Sequence, residues 1–347
     1  MSRDETVLVT GGAGFIGSHT CVDLLQHGYE VVVVDNYSNS FVGVLDQVEK
    51  LGGRPVPAYE ADLADADVLD EILRRHRIDA VMHFAGKKAV GESVDRPLEY
   101  YAVNVGSTVA LLRAMCRHRV RKLVFSSSCS IYGRVAGMPI SEREPAAPTN
   151  PYARSKWISE LILADACLRW PELDVIALRY FNPIGAHDSG LLGEAPKRAP
   201  DNIVPYLMCV AAGRLDHLRV YGDDYETPDG TCVRDYVHVM DIAAGHRMAL
   251  EHMEGETGVQ VFNLGSGIGT SVLELVREFE AASGKPVPYE IVGRRPGDVD
   301  ELVADSSLAE EKWAWRASRG LGEMCRDAWT FQRVNPYGYQ SSLVQWA

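Results

Sequence analysis

The stretch Thr6-Val7-Leu8-Val9-Thr10-Gly11-Gly12-Ala13-Gly14-Phe15-Ile16-Gly17 decides the fold. A short apolar run breaks into closely spaced glycines, and an amphipathic pattern follows through Gly28. This reads as strand, tight turn and helix. Gly12-x-Gly14-x-x-Gly17 and Gly11-x-x-Gly14-x-x-Gly17 can both be read over these residues. Glycine suits the turn because a side chain would block a pyrophosphate from the backbone amides. The helix N-terminus then offers free N–H groups and a positive dipole to the phosphates. The next apolar run, Glu30–Asp35, holds four successive valines, as expected of a strand buried on both faces. It ends in Asp35, about 20 residues on, where a carboxylate can bind an adenosine ribose hydroxyl. That carboxylate would repel a 2′-phosphate, and Asn36-Tyr37 follows it with no arginine, so NAD is favoured over NADP.

Strands are predicted further on at Arg54–Tyr59, Ala80–Phe84, Lys122–Ser126 and Val175–Tyr180, with helices near 66–77, 98–118 and 151–169. The alternation is that of an α/β doubly wound parallel sheet. Residues 1–180 are read as an NAD-binding domain, with a return helix over Val237–Leu250 and a return segment near 237–252. Residues 181–347 are read mainly as a smaller, interleaved α/β substrate-binding domain, since short elements, Pro and Gly clusters and aromatic residues dominate there.

Bulk properties bound the function. The formal charge of −13 opposes non-specific binding to nucleic acid or anionic lipid. No apolar stretch approaches the roughly 20 residues of a membrane helix, and the N-terminus leaves no room for a signal peptide. The cysteines (21, 116, 129, 167, 209, 232 and 325) are scattered and lack CxxC spacing. That reads as reduced thiols in a cytoplasmic protein, with no metal site.

Tyr152 and Lys156 stand four residues apart after Asn150-Pro151, where proline favours a helix start. An ammonium and the positive nicotinamide ring of oxidised NAD would lower the phenol pKa and make Tyr152 a general base. Ser126-Ser127-Ser128 ends the preceding strand and would bring a hydroxyl to the same point. Asp62 reads equally as an adenine contact or a helix N-cap. Phe84-Ala85-Gly86 closes a strand at the cofactor edge. Lys87 and Lys88 read either as a solvated loop or as a reach toward cofactor or substrate.

The segments VTGGAGFIGSHT, VVDNYSNS, HFAGKKAVGESV, PLEYY, FSSSCSIYG, PYARSK, LRYFNPIGAH, DGTCVRDYVHVMD, FNLGSG and RRPGD cover nearly the whole chain. Together they resemble the extended short-chain dehydrogenase/reductases, and among them the UDP-glucose 4-epimerase family. The resemblance implies a Rossmann-like fold and a reversible inversion of carbon 4 of UDP-glucose and UDP-galactose. Hydride would pass to bound NAD and return to the other face of a 4-keto sugar. It implies Tyr152 as base, Lys156 as its tuning partner and Ser128 as proton relay. Cofactor positions are Gly11, Gly14, Phe15, Ile16, Asp35, Asn36, Asn39, Ser40, Asp62, Leu63, Phe84, Ala85, Lys88, Asn104, Tyr152, Lys156 and Tyr180. On the substrate side stand Ser128, Tyr152, Asn182, Asn202, Tyr221 (against uracil), Arg234, Arg295, Asp298 and Leu302. The two arginines suit a diphosphate, and the aromatic ring suits a base.

The chain departs from the family pattern at Cys129, Ser130 and Lys87. Leu302 is intermediate in bulk where size bears on whether an N-acetyl group fits, so UDP-GlcNAc and UDP-GalNAc remain open as substrates. A 4,6-dehydratase or a decarboxylase would want an acidic residue in Ser128-Cys129-Ser130, which has none. An idle NAD-binding sensor would need none of Ser128, Tyr152 and Lys156. A general alcohol dehydrogenase would not need the arginines of the long C-terminal region. The family also implies a homodimer through the helices near 98–118 and 152–169.

Overall fold

The computed structural model describes residues 5–253, 258–295 and 297–340. Its large sheet holds seven parallel strands: β1 (Thr6–Thr10), β2 (Glu30–Asp35), β3 (Ala58–Glu60), β4 (Ala80–His83), β5 (Lys122–Ser126), β6 (Asp174–Tyr180) and β7 (Gly258–Leu264). Their spatial order is β7-β6-β5-β4-β1-β2-β3. The chain therefore starts mid-sheet, winds out to β3, then returns and winds the other way from β4. Connections leave the carboxyl ends of β1 and β4 in opposite directions, and a crevice opens between them.

Alternation along the strands divides the core. Val7, Val9, Val31 and Val33 pack on one face with helices Phe15–Gln26, Gly43–Gly52 and Val239–Glu251. Leu8, Val32 and Val34 pack on the other with Ala66–Arg75, Gly106–His118 and Pro151–Arg169. Burial on both faces is why β2 reads as an unbroken valine run.

Three sequence expectations are corrected here, and one strand is added. The third strand begins at Ala58 rather than Arg54; Pro55 and Pro57 have no amide to donate to a ladder. The 98–118 helix is broken into Pro97–Tyr100, a wider π-type turn at Tyr101–Val105, and Gly106–His118. Val237 and His238 end a strand, Val233–His238, and the helix begins at Val239. That helix returns to the first layer, where Arg247 Nε donates to Asp23 at 2.8 Å. Finally, β7 extends the large sheet beside β6, an edge the sequence reading did not foresee.

A smaller layer carries strand Val233–His238, flanked by Gly269–Ser271 and Glu301–Leu302 and paired with Asn182–Ile184. Strands Leu218–Tyr221 and Tyr289–Val292 pair separately, in parallel. Helices Ile203–Ala211, Val272–Ser283 and Leu321–Val334 bury Leu207, Met208, Leu275, Phe279 and Met324 between them. Among the described residues no helix is long and apolar enough to cross a membrane. All seven thiols are free, and all but Cys116 are buried.

Candidate active site

The glycine turn is shaped by close approach. Gly11 has φ of 70°, its amide donates to the Val34 carbonyl at 2.8 Å, and a Cβ there would lie 2.7 Å from the Ala85 nitrogen. A Cβ at Gly17 would run into the Gly11 carbonyl. Helix Phe15–Gln26 starts at Gly14 with no side-chain cap and no acidic residue in its first turn. A bare, electropositive helix end faces the turn, which is what a pyrophosphate requires.

Asp35 is held by the turn itself. Its carboxylate accepts from the amides of Ala13 (3.0 Å) and Tyr37 (2.8 Å) and from the Ser40 hydroxyl (2.9 Å). Ser40 thus sits behind Asp35, while Asn39 is exposed nearby in sequence. Asn36 donates to Asp62 at 3.1 Å, and Asp62 accepts from the Ala64 amide at 2.9 Å. The N-cap of helix Ala66–Arg75 is Asp65, not Asp62. Leu63 is buried in the sheet core. The glycine cradle, the bare helix end and the fixed carboxylate together fit a dinucleotide with a free ribose hydroxyl.

At the end of β4, the amides of Phe84 and Ala85 donate to the Thr10 carbonyl (3.0 Å) and hydroxyl (3.3 Å). The π-type turn presents Asn104, which grips the Lys87 peptide from both sides: it accepts from the Lys87 amide at 2.7 Å and donates to its carbonyl at 3.0 Å. Asn104 also donates to Ser155 at 2.8 Å, tying this loop to the helix that carries Tyr152. Lys87 is paired locally with Glu92 (3.3 Å) and Glu99 (3.1 Å). Lys88 instead crosses to the smaller layer and meets Glu194 at 2.7 Å, and Asn202 donates to the same carboxylate at 2.8 Å. Sequence reasoning missed Glu194, because nothing local links it to Lys88.

Helix Pro151–Arg169 opens with Pro151 in its first turn, and the Asn150 side chain accepts from the Ala153 amide at 2.9 Å. Tyr152 and Lys156 are both buried. Lys156 Nζ donates to the Ser126 carbonyl at 2.8 Å. Burial pulls its pKa down to about 8, with Glu160 opposing. Burial pushes the Tyr152 pKa up to about 12, and a hydrogen bond with Ser128 partly offsets this; the nicotinamide charge on which the expected lowering depends would act against that burial. Ser128 caps the short turn Cys129–Tyr132 by accepting from the Ser130 amide at 3.2 Å. The hydroxyls of Tyr180 and Ser126 are hydrogen-bonded, which places Tyr180 against the same serine run.

On the smaller layer, Arg234 donates to the carbonyls of Val233 and Val299, each at 2.9 Å, and lies 3.8 Å from Asp298. Arg295 stacks on the Tyr221 ring, 4.3 Å from its centroid. Leu302 is in register with Arg234 and packs on the cluster containing Cys129, Tyr132 and Phe181. Asn182 pairs with Tyr236 on the neighbouring strand. The predicted substrate residues thus collect in pairs, Arg234 with Asp298 and Arg295 with Tyr221.

Comparison with known proteins agrees with this geometry. Residues 7–265 match the model of the NAD dependent epimerase/dehydratase family. A UDP-glucose 4-epimerase of Bacillus subtilis (strain 168) is 51% identical over 336 residues, covering 97% of this chain and 99% of the relative. The crystal structure of UDP-glucose 4-epimerase from Bifidobacterium longum, in complex with NAD+ and UDP, superposes with a TM-score of 0.94 at 49% identity, covering 96% of this chain and 99% of that one. The UDP-Glc/GlcNAc 4-epimerase of the human pathogen Campylobacter jejuni superposes with a TM-score of 0.82 at 36% identity, covering 95% and 99%. With a glycine cradle at one end of the crevice and a Ser-Tyr-Lys cluster beside it, the chain belongs to the NAD dependent epimerase/dehydratase family.

Proposed function

We propose that the chain interconverts UDP-glucose and UDP-galactose by inverting carbon 4, with NAD held in the crevice. The observation that carries this is the meeting of Ser128, Tyr152 and Lys156 at the end of β5, next to the dinucleotide cradle. The B. subtilis and B. longum relatives support it.

Bound NAD supplies one service, taking a hydride from sugar carbon 4 and giving it back. The chain's residues do the rest. Tyr152 removes the proton from the C4 hydroxyl and later returns it, and Ser128, whose hydroxyl favours the Tyr152 phenolate, relays that proton. Lys156 contributes positive charge beside the serine run. Asp35 accepts from the adenosine ribose, and the amino end of helix Phe15–Gln26 holds the pyrophosphate. Arg234, Arg295 and Asp298 anchor the UDP diphosphate and ribose, and Tyr221 serves the uracil. That distal anchor restrains the 4-keto sugar while it turns over between the two faces.

Leu302 packs on the cluster that holds Cys129, the residue after Ser128, and is intermediate in bulk. Activity on UDP-GlcNAc and UDP-GalNAc accompanies the main reaction in this reading, as the name of the C. jejuni relative suggests for that protein. The test is NMR of purified protein with UDP-galactose and no added NAD, with UDP-GalNAc in parallel. Formation of UDP-glucose is expected; no conversion of either sugar, even with NAD supplied, sinks the reading.

The chain also works as a cytoplasmic homodimer in this reading. Leu98, Leu161 and Leu168 are 80%, 46% and 83% exposed on the helices in question. Exposed leucines on these helices suit a second copy of the chain. Light scattering should give twice the chain mass, and Leu168→Glu should shift it toward one; a monomeric parent protein overturns the proposal.

A further inference from the structure

Ser128 is held between two anchors that the proposed reaction does not use. On one side, the Ser127 hydroxyl donates to the Glu160 carboxylate, and the Ser127 amide donates to the Leu178 carbonyl at 2.9 Å. On the other, the Tyr132 hydroxyl accepts from Arg179 at 3.1 Å and donates to Asn263 at 2.7 Å. The anchors are joined, because Arg179 forks onto Glu160 with contacts of 3.0 and 2.5 Å. Glu160 and Arg179 are 4% and 5% exposed, while Ser127 and Tyr132 are fully buried.

A buried ion pair is a poor way to gain stability, because desolvation consumes most of the attraction; apolar substitutes often do as well. What such a pair does provide is geometry, since a forked guanidinium–carboxylate contact admits few arrangements. Here the geometry falls on the reacting groups. Glu160 follows Lys156 by one turn on the helix that also carries Tyr152. Arg179 comes from β6, and Ser127 directly follows the end of β5.

We propose that the Glu160–Arg179 pair is a positioning device: by gripping Ser127 and Tyr132 it fixes the turn between them and sets the Ser128 hydroxyl against Tyr152. The inference rests on the role given to Ser128 in the proposed epimerisation. Glu160 and Arg179 touch neither sugar nor cofactor and act through Ser128.

Two variants of the holoenzyme test it. Ser127→Ala removes one of the two anchors and leaves the ion pair with its hold on Tyr132; Glu160→Gln weakens the ion pair and the Ser127 anchor together. With UDP-galactose, Ser127→Ala should lower kcat about tenfold while KM and bound NAD stay unchanged. In a Ser128→Ala background, the same substitution should change kcat less than about twofold, because its target is gone. Amide hydrogen exchange across residues 126–133 should quicken in Ser127→Ala whatever the turnover. An equal loss in both backgrounds, an unchanged kcat in active protein, or unchanged exchange overturns the proposal. If the parent protein converts no sugar, the functional reading fails separately, and the exchange measurement alone decides whether the pair grips the turn. Should Glu160→Gln fail to fold, Ser127→Ala carries both readouts.

Discussion

Tyr152 and Lys156 show how far a side chain's surroundings revise its chemistry. Spacing put them on one helix face, and they are there. Burial then moves both in the direction that disfavours charge, Tyr152 up to about 12 and Lys156 down to about 8. Tyr152→Phe keeps the ring and removes the proton acceptor. Turnover should fall by about 10²–10⁴ with NAD content unchanged, read by steady-state kinetics and by the cofactor released on denaturation. Near-parental turnover would remove Tyr152 from the mechanism. The glycines and Asp35 were legible because their constraints are local: a turn, a helix end, a carboxylate at a strand terminus. Glu194, Glu160 and Arg179 were not, because each takes its meaning from partners on distant segments.

Elements carry the next layer of control. Helix Pro151–Arg169 is started by Asn150 and Pro151, and the cap is the Asn150 contact to the Ala153 amide. Asn150→Ala should cost about 1 kcal/mol of stability, seen as a lower urea midpoint at unchanged slope. Because Tyr152 sits in the first turn, kcat should drop more than KM rises; unchanged stability and kcat would show the cap to be idle. The π-type turn at Tyr101–Val105 was invisible to periodicity, since the flanking residues carry a continuous helical pattern. It is settled by Asn104, whose bonds to the Lys87 peptide and Ser155 reward the extra residue in the turn.

At the scale of the molecule, packing sets a pH response. His19 and His83 are buried with pKa values pulled to about 3, and His246 to about 4, each by burial. In the unfolded chain each histidine takes a proton near pH 6.5. The unfolded state therefore binds more protons than the folded one below that pH, and stability falls as pH drops toward about 4. Each histidine contributes about 1.4 kcal/mol per pH unit within that window. Burial raises the pKa of Asp23, Glu142 and Asp235, which works the other way once carboxylates begin to titrate. The steepest loss should thus lie between about pH 6.5 and 5, measured by urea unfolding across that range. A flat profile would mean the three imidazoles are solvated.

The amino-acid sequence by itself determined the layered α/β fold, the cofactor cradle and the Tyr-Lys pair. These follow from periodicity, turn chemistry and spacing within single elements. Only the tertiary structure decided that β7 extends the sheet beside β6, that Lys87 pairs locally while Lys88 spans the crevice, and that Ser127, next to Ser128, bonds to a buried ion pair. The reason is the same in each case: burial and long-range pairing depend on which distant segments share a volume, and neighbouring residues do not encode that.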